Sequence, residues 1–116
     1  MRFQEYVEDQ VFSPTLIADG LRTTKSEIAG TLGLGKDAFT RASRVRARKT
    51  QIRLRQMLEI LNRVEAATGS PLAAYAWFRG EPLPGFGGAT PDLLVREGRA
   101  HQVHAYLDRI MAGGYA

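Results

Sequence analysis

The chain has 116 residues, of which 44% are hydrophobic and 24% charged, a balance typical of one folded globular domain and not of a disordered chain. It contains no cysteine, which excludes disulfide frameworks, thiolate metal sites and cysteine nucleophiles. No run of 18 apolar residues is present, and the first residues carry acids instead of the apolar core of a secretion signal. We therefore expect a cytoplasmic protein without a membrane-spanning helix.

The first third of the chain predicts a short arm followed by two helices. Apolar side chains recur every three to four positions over residues 3–12, which favours a short helix or an arm. Ser13, which precedes a proline, is a typical helix start, and Thr24 with Glu27 is a second one. Gly33 is placed to end the second helix in a turn, because glycine adopts positive φ without a steric penalty.

The remainder of the chain predicts further helices separated by turns rich in glycine and proline. The first is expected from about residue 36 to 44, and a long amphipathic helix follows over residues 50–68 and ends at Gly69. A Ser-Pro start signal at Ser70 opens another helix, and a loop over residues 80–91 precedes two more. No strand pattern is present, so the sequence predicts an all-α fold.

Positive charge is concentrated in the middle of the chain. Residues 36–69 carry nine bases and three acids, whereas residues 1–35 have a net charge of −2 and residues 70–116 are neutral. No acid lies between Asp37 and Glu59, where seven bases lie. Such a block is typical of a surface that binds nucleic-acid phosphates, although a solvated arginine-rich face would give the same composition.

Residues 25–44 have the spacing of a helix-turn-helix. Ala29 provides the small side chain needed where two helices cross, and Gly33 provides the sharp turn four residues later. A plain helical hairpin has the same apolar spacing, but it does not explain the adjoining bases, while Asp37 weakens the case for a phosphate-binding surface. We predict that the second helix and the residues after it bind DNA through Lys36, Thr40, Arg41, Arg44, Arg46, Arg48 and Lys49.

Other patterns are weaker. Residues 30–37 are similar to a phosphate-binding loop, but an aspartate stands where the Mg²⁺-binding hydroxyl would be and no strand precedes it. His101, His104 and Asp108 share one helix face, an arrangement more often found on a plain surface than at a metal. No combination of nucleophile, base and acid is apparent. We therefore expect neither enzymatic activity nor a metal or cofactor.

The C-terminal half carries several short motifs in a fixed order. They are Ala-Trp-Phe-Arg at residues 76–79, Pro-Leu-Pro-Gly-Phe-Gly-Gly at 82–88, Pro-Asp-Leu-Leu at 91–94, and Gly-Gly-Tyr-Ala at 113–116. This order resembles the toxin-binding domain of the Xre/ParS/MbcA antitoxins. The resemblance is strong over residues 70–116 and looser over the helix-turn-helix.

This resemblance implies a type II antitoxin paired with a toxin of the RES class, which resembles ADP-ribosyltransferases and uses NAD⁺. Residues 1–69 would hold the arm and the helix-turn-helix, and residues 70–116 would block the active-site cleft of the toxin. A homodimer would bind operator DNA and repress the operon. The predicted toxin contacts are Trp77, Phe86, Gly113, Gly114, Tyr115 and Ala116.

Two other functions fit the same residues. A helix-turn-helix regulator with a C-terminal ligand- or protein-binding domain would repress transcription without any toxin partner. A protein-interaction module would bind no DNA with its basic stretch. A RES-type reading frame beside the gene would favour the antitoxin over both.

Overall fold

The computed structural model describes residues 1–113, and helices make up most of that range. The predicted all-α class is confirmed, with a single small hairpin near the N-terminus. The elements in chain order are a 3₁₀ turn Phe3–Tyr6, β1 Val7–Glu8, β2 Val11–Phe12, α1 Pro14–Gly20, α2 Lys25–Thr31, α3 Ala42–Val45, α4 Arg48–Thr68, α5 Pro71–Gly80, α6 Pro91–Arg96 and α7 Ala100–Gly113.

The hairpin lies where the sequence predicts a short helix or arm and no strand. After the 3₁₀ turn, two antiparallel strands of two residues each pair Val7 with Phe12. Asp9 and Gln10 form the turn with φ of 52° and 70°. The Gln51 side chain accepts from the Phe12 N–H at 2.9 Å and donates to its carbonyl at 3.0 Å, so α4 holds the hairpin. Strands this short show no alternation that separates them from a helix.

The helix starts predicted at Ser13, Thr24 and Ser70 and the turns predicted at Gly33 and Gly69 are confirmed. The side chains of Ser13, Thr24 and Ser70 each accept from the backbone N–H three residues later, at 3.2, 3.1 and 3.0 Å. Gly33 turns the chain after α2 with a φ of 66°, and Gly69 ends α4 with a φ of 99°. These signals are local, which is why the sequence alone identifies them.

The helix predicted over residues 36–44 is wrong. The residues before Thr40 form successive turns, and only Ala42–Val45 makes one helical turn. Both the N–H and the hydroxyl of Thr40 donate to the Asp37 carbonyl, at 3.3 and 2.9 Å, and such local bonding competes with a helix. Phe39 is buried from this irregular backbone, so its apolar spacing requires no helix. The turn of the predicted helix-turn-helix is present, but a continuous second helix is not.

Helix α4 is the long helix that the sequence predicts, and it carries the predicted apolar face. All five residues expected on that face are buried: Leu54, Met57, Leu58, Leu61 and Val64. The helix packs along α5 and also contacts α6 and α7. Its N-terminal half contacts β2 and α3, so α4 connects the two ends of the chain.

One hydrophobic core runs through the described residues. Its buried side chains come from the N-terminal turn, α1, α2 and all four helices from α4 to α7. The boundary predicted between residues 69 and 70 stays a prediction. None of the helices in residues 1–113 is long and apolar enough to cross a membrane.

Candidate functional site

The loop between α5 and α6 is closed on itself. The Leu83 N–H donates to the Ala89 carbonyl at 2.9 Å, and both side chains are buried. Between them Gly85, Gly87 and Gly88 have positive φ, which lets the backbone reverse direction within a few residues. The predicted loop is therefore present, and its two ends are fixed to the core.

Two aromatic side chains from the predicted toxin contacts lie partly at the surface. Phe86 is half-buried in the loop. Its ring centroid lies 6.4 Å from that of Tyr106 in an edge-to-face arrangement. The Arg99 guanidinium lies 6.0 Å from the Phe86 ring centroid. Trp77 on α5 is also half-buried. Both side chains are held by the core while part of their surface stays open to a partner.

The other predicted contacts lie at the end of the chain. Gly113 is the last residue of α7, and Gly114, Tyr115 and Ala116 lie outside the described residues. Near this end, Ile110 is 48% exposed, and Leu93 of α6 is 36% exposed. Single exposed apolar side chains are normal on a folded surface, so these two do not by themselves mark a partner site.

Arg63 of α4 binds α7. Its guanidinium donates to the Asp108 carboxylate at 2.7 Å and to the His104 carbonyl at 3.2 Å, and it lies 3.1 Å from His104 Nδ1. Burial and then the Arg63 charge lower the pKa of His104, which favours the neutral ring as an acceptor. His101 is exposed, and residues 1–113 hold no group of three potential metal ligands. His104 and Asp108 thus fix the packing of α7 against α4.

A buried hydroxyl pair joins the N-terminal helices to α5. The Thr31 and Tyr75 hydroxyl oxygens are 3.1 Å apart in the interior. Burial raises the pKa of Tyr75, and the bond with Thr31 opposes that rise. The Arg79 guanidinium lies 4.6 Å from the Tyr75 ring centroid and 4.0 Å from Glu27. Sequence reasoning missed this pair, because a threonine at a helix end and a tyrosine in an apolar run do not signal that they meet.

A second junction involves one arginine of the basic block. Arg53 is half-buried and donates to the Val95 carbonyl at the end of α6. Next to it, Arg96 packs on the turn after α2, where a Cβ built on Gly33 would lie 2.8 Å from two Arg96 side-chain carbons. Arg53 therefore stabilises the fold, which its position in a charged run does not reveal.

The seven residues predicted to bind DNA are all exposed. None of the six basic ones among them forms an ion pair with a carboxylate of residues 1–113, although Arg46 donates to the Asp9 carbonyl at 3.1 Å. Lys36, Arg44 and Lys49 line the same surface groove, whereas Arg48 lines grooves beside it. The segment over residues 36–49 is therefore a cationic surface on an irregular backbone.

The comparisons with known proteins agree with the C-terminal motifs. Residues 63–113 match the family described as "Antitoxin Xre/MbcA/ParS C-terminal toxin-binding domain". This range contains the last turns of α4 and all of α5, α6 and α7. Searches of curated proteins and of solved structures found no match. Residues 63–113 are therefore a toxin-binding domain of the Xre/MbcA/ParS antitoxin type.

Proposed function

We propose that this type II antitoxin neutralises a toxin of the RES class by covering the NAD⁺-using active-site cleft. The observation that carries the proposal is the family match over residues 63–113. The antitoxin acts as a binding protein in the cytoplasm, without catalysis of its own. It needs no cofactor for this role, because a cleft is closed by shape and contact alone.

The contact surface that we propose consists of Trp77, Phe86 and the last four residues. Aromatic side chains held by a core and partly exposed are the type that contributes most to protein interfaces, because little side-chain entropy is lost when they bind. The Gly-Gly-Tyr-Ala segment has two residues without a side chain and carries no charged side chain, so we expect it to suit a confined cleft. Tyr115 would supply a rigid ring with a polar tip.

Coexpression with the toxin encoded beside the gene tests this proposal. We expect the intact chain to restore growth and the cellular NAD⁺ level, and Phe86→Ala to restore them poorly. Phe3→Ala is the matched control, because Phe3 is also half-buried and also has an edge-to-face aromatic partner, 6.1 Å away. Equal rescue by both variants would remove Phe86 from the contact surface. Failure of the intact chain to bind the toxin would overturn the proposal.

We further propose that a homodimer represses its own operon by binding DNA through residues 36–49. Support comes from the six exposed cationic side chains of this segment, which have no carboxylate partner in residues 1–113. Because residues 36–41 are not helical, we expect most of their contacts to reach phosphates, with Arg41 and Arg44 closest to base edges.

Fluorescence anisotropy tests the DNA proposal by comparing the affinity for the duplex upstream of the gene with that for a scrambled duplex. Sedimentation gives the oligomeric state of the protein. We expect tighter binding to the upstream duplex and a dimer. A protein that represses its promoter and binds no toxin would instead be a regulator with a different C-terminal ligand. A protein that binds its toxin and shows no affinity for DNA at low salt would be a pure interaction module.

A further inference from the structure

The N-terminus of α4 opens into a surface groove of about 420 Å³. One wall consists of residues 34–38, which form the irregular backbone after α2. The other wall is formed by Arg44, Ala47, Lys49 and Thr50, so the first turn of α4 faces the groove. The groove therefore lies within the segment that we propose for DNA binding.

This end of α4 has no cap. Its N-cap residue is Ala47, whose methyl group accepts no hydrogen bond, and no acid lies in the first turn. The first N–H groups of a helix have no partner inside the helix, and the helix dipole adds a partial positive charge there. By contrast, α1, α2 and α5 each begin with a serine or threonine that accepts from such an N–H group.

A second and independent observation concerns Thr50 in the same turn. Its side chain lines the groove although the residue is only 6% exposed, and its hydroxyl forms no hydrogen bond within residues 1–113. Thr68 at the other end of α4 donates to the Val64 carbonyl at 3.0 Å, as a helical threonine commonly does. The residue is almost entirely buried, but its hydroxyl oxygen remains accessible, so the hydroxyl is a donor available to an acceptor in the groove.

The charges around the groove favour an anion. Lys36, Arg44 and Lys49 line it, against the one carboxylate of Asp37, and none of these four side chains is ion-paired within residues 1–113. Uncapped N–H groups, a hydroxyl donor and several cations are the donor set that holds a phosphate at a helix N-terminus.

We propose that this groove is a phosphate-binding site in which the first turn of α4 and the Thr50 hydroxyl hold one phosphodiester of the bound DNA. The proposal rests on the proposed DNA binding and identifies the group that is held. The groove is open, and the exposed side chains of Arg41 and Arg46 belong to the same basic segment, which suits a chain of phosphates better than an isolated ion. The segment over residues 36–49 then holds the DNA backbone through a helix end, and base contacts are left to Arg41 and Arg44.

Thr50→Val tests the site, because valine has nearly the shape of threonine and lacks the hydroxyl. We expect it to weaken binding of the full-length protein to the upstream duplex and to a scrambled duplex by the same factor, about tenfold, because phosphate contacts are independent of sequence. Thr68→Val, the same change at the far end of the helix, is the control and should bind like the wild type. Thermal unfolding of both variants verifies that they fold. Unchanged DNA affinity in folded Thr50→Val would overturn the proposal.

Two further measurements sharpen this test. The first uses duplexes in which one phosphate at a time is replaced by a neutral methylphosphonate. At one position the replacement should weaken DNA binding by the wild type and leave binding by Thr50→Val unchanged. A scan with no such position would overturn the proposal. Asp37→Asn, at an exposed residue, should tighten binding several-fold because a carboxylate leaves the groove. Unchanged or weaker binding by Asp37→Asn would contradict an anion in the groove.

A test with inorganic phosphate distinguishes failure of the phosphate site from failure of the proposed DNA function. If the wild type binds no duplex, the proposed DNA function fails. Thermal unfolding in phosphate, compared with chloride at equal ionic strength, then decides the site alone. Stabilisation of the wild type and not of Thr50→Val would support the site with free phosphate as its source, and equal behaviour would overturn it.

Discussion

The basic segment over residues 36–49 and the toxin-binding helices α5–α7 are built in opposite ways. In the segment, most side chains are exposed, regular structure is limited to α3 and the first residues of α4, and the hydroxyl of Thr40 donates to the Asp37 carbonyl. In α5–α7, side chains such as Tyr75 and Phe78 are fully packed against α4. A charge pattern in the sequence therefore locates an exposed surface but not its backbone conformation, whereas apolar spacing locates the helices but not the partner that they bind.

Removal of residues 113–116 should give the largest difference between the functions of the two regions. We expect toxin neutralisation to be lost while DNA affinity is retained, because the proposed cleft-filling residues leave and the basic segment is untouched. Growth under coexpressed toxin and anisotropy on the upstream duplex measure the two outcomes. Growth rescue equal to that of the intact chain would exclude the end of the chain from the toxin interface.

The double variant Arg41→Ala/Arg44→Ala should have the opposite effect. Because two side chains that bind phosphates or base edges are removed, DNA binding should weaken roughly 10- to 100-fold, while neutralisation persists. The slope of the salt dependence should also flatten by about 0.9 for each phosphate that is no longer neutralised. Arg2→Ala/Arg109→Ala removes the same charge from exposed positions outside the segment and serves as the control. Equal weakening in both double variants would mean that only net charge matters.

A smaller effect is expected at the junction between the regions. Gly33→Ala should lower the free energy of unfolding by about 1–2 kcal/mol, because Gly33 has a φ of 66° and the new methyl group would meet Arg96. Gly30→Ala is the matched control in α2, where nothing lies within 4 Å of the added Cβ, and it should raise stability by about 0.5–1 kcal/mol. Urea denaturation distinguishes the two. A Gly33→Ala protein as stable as the wild type would show that the turn tolerates another conformation.

The smallest expected change comes from Tyr75→Phe. It removes the hydroxyl bonded to Thr31 in the interior, and we expect a decrease of about 1 kcal/mol in the free energy of unfolding. Tyr106→Phe is the control, because the Tyr106 hydroxyl forms no hydrogen bond within residues 1–113. Restoration of stability by the double variant Thr31→Val/Tyr75→Phe would show that the cost comes from the unpaired Thr31 hydroxyl.

Much of the fold could be predicted because its signals are local. Caps such as Ser13 and Ser70, the turn at Gly33 and the apolar face of α4 each depend on a few neighbouring residues. The helix expected over residues 36–44 failed because side-chain bonding at Thr40 competes with the helix while the apolar spacing is the same in both conformations.

Tertiary contacts explain the rest of what the sequence did not reveal. The hairpin of two-residue strands is held by hydrogen bonds from the Gln51 side chain to Phe12, which lies 39 positions earlier. The contact between Thr31 and Tyr75 spans 44 positions, and no short-range pattern carries it. The C-terminal motifs were enough to predict the toxin-binding domain. The groove at Thr50 could not be predicted in this way, because two separate stretches of backbone form it.

The hydrogen bond from Arg53 to the Val95 carbonyl has a consequence for how such a protein can diversify. Under the proposed DNA binding, Arg41 and Arg44 can change as the operator changes, because they are exposed and no buried group depends on them. Arg53 belongs to the same run of bases in the sequence, yet its replacement would remove a hydrogen bond between α4 and the end of α6, where the Val95 carbonyl would keep the Gly98 N–H at 3.0 Å. If related antitoxins bind operators in the proposed way, the residues at positions 41 and 44 should vary with the operator, while an arginine is retained at position 53.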